Sequence, residues 1–353
     1  MGKVPIALEW KQSYLSVLDQ TALPINEQFI DLHTMQDVYE AIVTLKVRGA
    51  PIIGLSAAYG LAIAVQTYED LPIAQLHKQF EQDVAYLASS RPTAVNLFWA
   101  LNKMSEAANK SENLQQLQHN IISEAIRLHH EDETRCRSIG EHALTLLEHK
   151  TRVLTICNAG SIATAKYGTA LAPFHLAAET GKYFEVFACE TRPVLQGSRL
   201  TAWELQKAGV DVTLITDSMA AHTIAEKKIE AIIVGADRIA GNGDTANKIG
   251  TRGLAILAKS FGIPFYVAAP TSTFDLSIAN GQQIPIEERS PNEITQIAGV
   301  QTAPDNVKVF NPAFDVTPAE YISAIITEKG IIYPNFIKNI KENIVGRRSL
   351  NNL

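Results

Sequence analysis

The chain has 353 residues, of which 46% are hydrophobic and 19% are charged, so it can bury a substantial core and has the length of two domains. A formal net charge of -6 argues against a broad basic surface for nucleic acid or anionic lipid. The N-terminus lacks the apolar run of a secretory signal, and no later stretch offers the ~18 uncharged apolar residues of a membrane span. We therefore expect a cytoplasmic protein that binds neither nucleic acid nor a membrane.

Three cysteines, Cys136, Cys157 and Cys189, are spread along the chain. An odd number in a long chain without a secretion signal predicts reduced thiols rather than a disulfide framework. The sequence has no CxxC, no HExxH and no Cys/His cluster of the kind that binds zinc. We therefore expect no metal site and no cofactor.

The N-terminal part of the chain has the periodicity of helices. Apolar residues recur at spacings of three and four in residues 36–47, 70–88 and 113–147. Further along, short apolar runs alternate with amphipathic stretches, which predicts βαβ units and a mostly parallel sheet. The predicted strands lie at 153–157, 184–189, 210–216, 231–236 and 264–269. We expect an α/β protein with a mainly helical domain at 1–140, ending in a connecting helix, and a sheet domain at 141–353.

Polar and reactive residues follow four of the predicted strands. In open parallel sheets, ligands bind beyond the carboxyl ends of the strands, near the point where the strand order reverses. The residues at these ends are Cys157 to Ser161, Cys189 to Pro193, Thr216 to Ser218, and Asp237 with Arg238. A site for a small molecule is therefore expected at this edge of the sheet.

Cys157 and Asp237 are the candidates for chemistry at that edge. Cys157 precedes a stretch, 161–172, whose composition predicts a helix, and a thiol near the positive end of a helix is often reactive. The alternative is a cysteine that only packs in the core. Asp237 leaves the sheet after apolar and small residues, where a carboxyl group can both give and accept a proton. It could equally cap the next turn or pair with Arg238.

Other residues suit an anion or a sugar. Arg48 precedes a small-residue helix and could bind phosphate, or form only a surface ion pair. The stretch 241–251 holds Lys248 just before a helix, where backbone N–H groups suit a phosphate, although such loops are also common turns. Arg91 precedes a proline that suits the first turn of a helix, but its own pattern favours a solvated loop arginine. Gln196 could bind a sugar hydroxyl or cap a helix.

Seven phrases, spread in order along nearly the whole chain, resemble the methylthioribose-1-phosphate isomerase family, relatives of the regulatory subunits of translation initiation factor 2B. The phrases are RGAPIIG (48–54), SRPTAVNL (90–97), TICNAGSIAT (155–164), ETRPVLQGSRLTAWEL (190–205), GADRIAGNGDTANKIGT (235–251), IPIEER (284–289) and NPAFDVTP (311–318).

The resemblance implies a Rossmann-like C-terminal domain, a homodimer and a small sugar phosphate as substrate. It assigns Cys157 and Asp237 as catalytic. It places substrate contacts on Arg48, Gly49, Ala50, Arg91, Gln196, Asn247 and Lys248. Two features depart from the usual pattern of the family: Ser161-Ile162 after the NAG phrase, and Arg252 after KIGT.

The activity implied is that of an intramolecular oxidoreductase in methionine salvage. It would convert 5-methylthioribose 1-phosphate to 5-methylthioribulose 1-phosphate. The nearest alternative is an isomerase for ribose 1,5-bisphosphate or 5-deoxyribose 1-phosphate, with the same two catalytic residues. A non-catalytic binding subunit is the alternative from another class, and the presence of both Cys157 and Asp237 argues against it.

Overall fold

The computed structural model describes residues 2–92 and 94–345, so that Thr93 of the SRPTAVNL phrase lies outside the described residues. The chain divides into two compact units. The helical unit comprises Val4–Arg137 and Gly160–Gly168, and the sheet unit comprises the described residues of Met1–Lys3, Ser138–Ala159 and Thr169–Leu353. That residues 1–140 and 141–353 are separate domains stays a prediction.

The helical unit contains the helices that the apolar periodicity predicts. Its strands, which form one antiparallel sheet, are β1 (Leu8–Trp10), β2 (Leu15–Leu18) and β3 (Phe29–Leu32). Its helices are α1 (Met35–Val43), α2 (Ala50–Ala64), α3 (Ile73–Ala88), α4 (Val95–Ala108) and α5 (Leu114–Leu146), the last of which continues into the sheet unit. Helix α1 begins with a capping box, in which Thr34 accepts from the N–H of Asp37 and the Asp37 carboxylate accepts from the N–H of Thr34.

Helix α2 corrects one expectation from the sequence. With the short turn that follows it, it forms an 18-residue segment, Ala50–Thr67, that has the length and apolarity of a membrane span. Of this segment, 78% is buried within the structure. Its apolar side chains therefore pack in the protein core, as in the central helix of a soluble fold.

The sheet unit confirms the predicted strands. In chain order they are β4 (Arg152–Thr155), β5 (Glu185–Cys189), β6 (Asp211–Ile215), β7 (Ala231–Val234), β8 (Arg238–Ala240), β9 (Thr245–Lys248), β10 (Phe265–Ala268), β11 (Phe274–Asp275), β12 (Gln296–Ile297), β13 (Val300–Gln301), β14 (Phe314–Thr317), β15 (Ala324–Thr327) and β16 (Gly330–Ile332). The remaining helices are α6 (Ala172–Thr180), α7 (Ala202–Lys207), α8 (Ala220–Glu226), α9 (Thr251–Phe261), α10 (Asn292–Thr295) and α11 (Phe336–Ile340).

Among the described residues, the main sheet has seven strands in the order β16-β15-β10-β7-β4-β5-β6. All neighbouring strands run parallel except β15 and β16. The chain runs outward from β4 through β5 to β6 and then returns to the other side of β4 with β7. The strand order therefore reverses between β4 and β7, and this is the position where such sheets bind ligands.

Alternate residues of the central strands face opposite sides of the main sheet. Leu154 and Ile232 pack in a core with helices α8 and α9. Val153 and Ala231 pack in a second core with the end of α5 and with α6. Helices therefore cover both faces, which explains why Val153 and Leu154 of β4 and all of β7 are apolar.

The stretch after Cys157 contradicts its predicted structure. The sequence predicts a helix over 161–172, but the described residues contain a short 3-10 turn at Ser161–Ala163, and helix α6 begins only at Ala172. The hydroxyl of Thr164 accepts from the N–H of Gly168 over 3.0 Å. Tyr167 and Gly168 also adopt left-handed backbone angles, with φ of 68° and 82°. These turns stop the helix that the small residues would otherwise favour.

Candidate active site

Cys157 lies just beyond the carboxyl end of β4 and has a left-handed backbone, with φ of 64°. Two threonine hydroxyls hold its main chain. The Cys157 N–H donates to Thr191 Oγ1 over 2.8 Å, and Thr201 Oγ1 donates to the Cys157 carbonyl over 2.5 Å. Such a conformation is unfavourable for a non-glycine residue unless its surroundings impose it. These two bonds therefore fix where the thiol sits.

The sequence predicted Thr191 only as one of the polar residues after a strand, and it predicted no role for Thr201. Both belong to the ETRPVLQGSRLTAWEL phrase, at 190–205, and this was the signal that could have drawn attention to them. The carboxylate of Asp217, which follows β6, accepts from the N–H groups of Thr191 and Arg192 over 2.8 and 2.7 Å. The residues after three neighbouring strands are thus linked by hydrogen bonds to one another.

Cys157 is partly exposed, whereas the other two cysteines are buried. Burial raises the pKa of Cys189 to about 12, with smaller contributions from the nearby charges of Asp217 and Glu190. Burial also raises the pKa of Cys136. Both therefore stay protonated at neutral pH and serve as core residues. The helix expected directly after Cys157 is absent from the described residues, so it cannot activate this thiol. Among the described residues no group of three or more His, Cys, Asp and Glu side chains is placed to hold a metal ion.

Asp237 lies between the carboxyl end of β7 and the start of β8. Its N–H donates to the carbonyl of Ala246 over 2.9 Å, which extends the antiparallel pairing of Arg238 with Ala246 by one residue. This pairing places Asp237 opposite Asn247. Arg238 contacts the carboxylate of Asp275 at 3.4 Å.

The loops that carry Cys157 and Asp237 lie against each other. Strands β4 and β7 are adjacent and parallel, so both residues leave the same edge of the sheet at the reversal of strand order. A Cβ atom on Gly235 would come within 2.7 Å of the Ala159 Cβ. A side chain at position 235 would therefore force the two loops apart.

Gln196, which follows β5, has a buried polar atom with no hydrogen-bond partner among the described residues. Its side chain is 7% exposed, and its Oε1 atom is buried with no hydrogen-bond partner among the described residues. It also makes no capping hydrogen bond there to the turn that follows, Gly197–Thr201. An unsatisfied buried amide is costly, so this atom is suited to accept a hydrogen bond from a ligand.

Asn247 and Lys248 lie at the end of β9. The Asn247 Nδ2 donates to Thr251 Oγ1 over 3.0 Å, and the Lys248 Nζ lies 4.5 Å from the ring centroid of Phe314. Strand β14 pairs Phe314 with Lys248 and Asp315 with Asn247. Both candidate residues are therefore held by neighbouring side chains.

The start of helix α9 does not provide the phosphate cradle that the sequence suggested. The carboxylate of Asp315 accepts from the N–H groups of Gly250 and Arg252 over 2.8 and 3.0 Å. Burial raises the pKa of Asp315, and these two N–H groups oppose the rise. The protein's own carboxylate therefore occupies the position expected for an anion. The NPAFDVTP phrase, which contains Asp315, supplies this cap.

Four candidate residues belong to the helical unit. Arg48 and Gly49 directly precede α2, Ala50 begins it, and Arg91 precedes α4. The first turns of these helices are packed together, because a Cβ atom on Gly54 would come within 2.7 Å of the Asn96 carbonyl oxygen. Both arginines therefore lie near the N-terminal ends of two packed helices, where the helix dipoles favour an anion.

A comparison with known families identifies the chain. Residues 46–334 match the model of the initiation factor 2 subunit family. The chain belongs to this family. Within the initiation factor 2 subunit family it is similar to methylthioribose-1-phosphate isomerase of Geobacillus thermodenitrificans, with 61% identity over 94% of each chain.

Solved structures of family members have the same fold. The 5-methylthioribose 1-phosphate isomerase of Pyrococcus horikoshii matches with a TM-score of 0.92 and 41% identity, over 98% of this chain and 97% of that one. A protein from A. fulgidus described as translation initiation factor eIF-2B, subunit delta, matches with a TM-score of 0.87 and 43% identity, over 96% of this chain and 99% of that one. The Rossmann-like fold implied by the resemblance is thereby confirmed.

Proposed function

We propose that the chain is an aldose–ketose isomerase that converts 5-methylthio-D-ribose 1-phosphate to 5-methylthio-D-ribulose 1-phosphate in methionine salvage. One observation carries this proposal. Cys157 and Asp237 leave adjacent strands at the reversal of strand order, on loops that touch, in a chain with 61% identity to a methylthioribose-1-phosphate isomerase. A partly exposed thiol and a carboxyl group at one sheet edge suit a small polar substrate.

The substrate poses a chemical difficulty. Ordinary aldose–ketose isomerases use a free aldehyde to make the C2 proton acidic. Here C1 carries the phosphate, so the ring must open while the phosphate stays attached. A group that can both give and accept a proton is therefore needed beside the sugar ring.

Asp237 fills that role in the proposed mechanism. In its protonated form it donates to the ring oxygen as the bond from that oxygen to C1 breaks, which leaves a cation at C1 that the phosphate-bearing oxygen stabilises. The carboxylate then takes the proton of the C2 hydroxyl as the C2 ketone forms. Asp237 ends the cycle protonated, and the reaction consumes no external acid or base.

Hydrogen must also move from C2 to C1. In one route it moves as hydride, directly to the cation at C1, with Cys157 orienting the reacting centre. In the other, the Cys157 thiolate removes the C2 proton and the proton returns to C1. The first route fits the electron-poor C1, and we adopt it for the predictions below.

We propose a role for each substrate-binding residue that the resemblance implies. The phosphate contacts are assigned to Arg48, Arg91 and Lys248, since planar guanidinium groups and an ammonium suit phosphate oxygens. The helix start at Gly49 and Ala50 adds backbone N–H groups, because the N-terminus of α2 favours an anion. Gln196 and Asn247 are assigned to the sugar hydroxyls, and the buried Oε1 of Gln196 supports its assignment.

The remaining assignments rest on the family resemblance. We propose that the protein is a cytoplasmic homodimer and that residues 141–353 form the catalytic domain. Light scattering of the purified protein at several concentrations tests the oligomeric state, and a monomer at all concentrations would contradict it.

A non-catalytic regulatory subunit is the competing function, because a family member at 43% identity is described as an initiation factor subunit. Incubation of the purified chain with 5-methylthioribose 1-phosphate, ribose 1,5-bisphosphate and 5-deoxyribose 1-phosphate separates the candidates. We expect turnover, with the highest kcat/KM for the methylthio substrate. Preference for the bisphosphate would assign the rival isomerase, and no turnover of any of the three would support the regulatory role.

A further inference from the structure

A buried amide, Gln20, links one candidate phosphate residue to the segment that follows the candidate catalytic cysteine. Gln20 lies two residues after β2 and is 1% exposed. Its Oε1 accepts from Arg48 Nε over 2.9 Å, and its Nε2 donates to the carbonyl of Ile162 over 2.8 Å. Ile162 is five residues beyond Cys157 in the chain.

These two bonds define a single orientation for the amide. Arg48 Nε can only donate and the Ile162 carbonyl can only accept. If the amide were turned by 180°, its Nε2 donor would face the Arg48 Nε donor, and its Oε1 acceptor would face the Ile162 carbonyl. The bond at Nε also fixes the plane of the guanidinium, whose two amino groups are the pair that binds phosphate oxygens in bidentate fashion. Gln20 therefore controls the direction in which the two amino groups of the Arg48 guanidinium point.

The segment to which Gln20 ties Arg48 is itself firmly held in the helical unit. Gly160 and Gly168 pair as an isolated bridge and close the segment into a loop. The N–H of Ala165 donates to the carboxylate of Asp132 over 2.7 Å. Lys166 contacts Glu133 at 3.1 Å. The Ile162 carbonyl is thus a fixed anchor for the amide.

A second contact joins the same two segments. Gly49 has φ of 118°, and a Cβ atom there would come within 2.6 Å of the Ala163 Cβ and 2.8 Å of its Cα. The backbone beside Arg48 therefore packs directly on the turn that contains Ile162. Gln20 and Gly49 hold Arg48 from its side chain and from its backbone, respectively.

We propose that Gln20 is a positioning residue of the isomerase reaction, which acts by orienting Arg48 toward the substrate phosphate from the loop that continues the Cys157 segment. This rests on the proposed function, in which Arg48 binds that phosphate. A displaced phosphate ligand shifts the whole sugar relative to the catalytic groups. Misplacement by about 1 Å can cost roughly a hundredfold in rate.

The test is a double-mutant cycle of Gln20→Met and Arg48→Ala. Methionine keeps the volume of the side chain and removes both hydrogen bonds. If Gln20 acts through Arg48, Gln20→Met should lower kcat/KM by about ten- to a hundredfold when Arg48 is present. In the Arg48→Ala background the same substitution should lower kcat/KM by less than about threefold, because the effects of coupled residues are not additive. Equal losses in both backgrounds, or a loss of thermal stability with kcat/KM unchanged, would overturn the inference.

Two further proteins complete the design. Gln118→Met is the matched control, because Gln118 is a partly buried glutamine of the same unit that donates to the Val65 carbonyl over 2.9 Å; its kcat/KM should stay within about twofold of wild type, as expected for a side chain remote from the chemistry. Gln20→Glu keeps an acceptor for Arg48 but lacks the donor to the Ile162 carbonyl. It is the second variant to be measured if Gln20→Met does not fold, and any loss of kcat/KM that it causes should likewise be absent in the Arg48→Ala background.

The same cycle, read by calorimetric binding of inorganic phosphate, needs no turnover. Gln20→Met should weaken phosphate binding only when Arg48 is present. An inactive wild type would refute the proposed function, while phosphate binding would still show whether Gln20 orients Arg48 toward phosphate. Phosphate binding that Gln20→Met leaves unchanged, in a wild type that turns over substrate, would overturn the inference alone.

Discussion

The main-chain N–H of Cys157 donates to the hydroxyl of Thr191 over 2.8 Å, although the two residues are 34 positions apart in the chain. The same hydroxyl donates to the carbonyl of Cys189 over 2.9 Å, at the end of β5. Thr191 therefore joins the carboxyl ends of two adjacent strands and holds the candidate catalytic cysteine against both. The position of the thiol depends on a side chain that has no chemistry of its own to perform.

Replacement of Thr191 by valine tests this support. Valine preserves the shape of the side chain but leaves the Cys157 N–H without its acceptor, so we expect a fall in kcat of about ten- to a hundredfold. We also expect a loss of about 1–3 kcal/mol in the free energy of unfolding. Steady-state kinetics and chemical denaturation measure the two effects.

Thr180→Val is the matched control for that variant. The Thr180 hydroxyl donates to the Ala177 carbonyl over 3.1 Å within α6, away from the candidate residues. Its loss should leave kcat unchanged. If Thr191→Val kept wild-type kcat, the main chain of Cys157 would not need this support.

Replacement of Arg91 by alanine tests the phosphate site. We expect KM for the sugar phosphate to rise by about tenfold or more, because a charge-assisted contact with phosphate is lost. The fold should be kept, as measured by circular dichroism. Arg127→Ala, which removes an arginine that pairs with Glu124 on an exposed helix face, should leave KM unchanged. Normal kinetics for Arg91→Ala would remove this residue from the site.

The route of hydrogen transfer is tested in deuterated water. Because C1 becomes a cation after ring opening and is then a good hydride acceptor, we expect hydride transfer, with little deuterium at C1 of the product. Proton NMR of the product measures this. Substantial deuterium at C1 would instead support removal of the C2 proton by the Cys157 thiolate, and Cys157→Ser should then nearly abolish turnover, since a hydroxyl is a much weaker base.

The buried thiol of Cys189 predicts how stability depends on pH. Burial raises its pKa to about 12 in the folded chain, from an ordinary value of 9.0. The unfolded chain therefore loses this proton first as the pH rises. Below about pH 9 the protonated Cys189 thiol makes its full contribution to the free energy of unfolding. That contribution falls between about pH 9 and 12, by about 4 kcal/mol at most. Chemical denaturation should show that the free energy of unfolding of Cys189→Ala falls less steeply with pH over this range than that of the wild type. The same pH dependence in both proteins would contradict the raised pKa of Cys189.

The strands could be predicted from sequence because each contains a short apolar run, which is almost entirely buried in β4, β5, β7 and β10. The segment 161–171 could not, because its small residues favour a helix locally. Its observed turns depend on the left-handed angles at Tyr167 and Gly168 and on the bond from Ala165 to Asp132. Contacts with residues distant in sequence decided this structure.

The candidate site also contains residues that the sequence predicts and residues that it does not. The catalytic and substrate-binding candidates were predicted from motifs, and their roles stay predictions. Thr191 and Asp315 lie within family phrases, but no local pattern predicts the supporting roles of these two residues or of Gln20, because each acts through a hydrogen bond to a segment far away in the chain. Periodicity and spacing carry no information about such pairs.

The central claim is that Asp237 moves the protons of the isomerisation, and phosphorus NMR of 5-methylthioribose 1-phosphate with wild type and Asp237→Asn tests it most directly. Asp211→Asn, which changes an exposed carboxylate that accepts from the Tyr183 hydroxyl over 2.7 Å, is the matched control. We predict that the wild type and the control form the ketose, while folded Asp237→Asn is slower by about a thousandfold or more. A rate for Asp237→Asn within about tenfold of wild type, well short of the loss expected on removal of an acid–base group, would contradict the account.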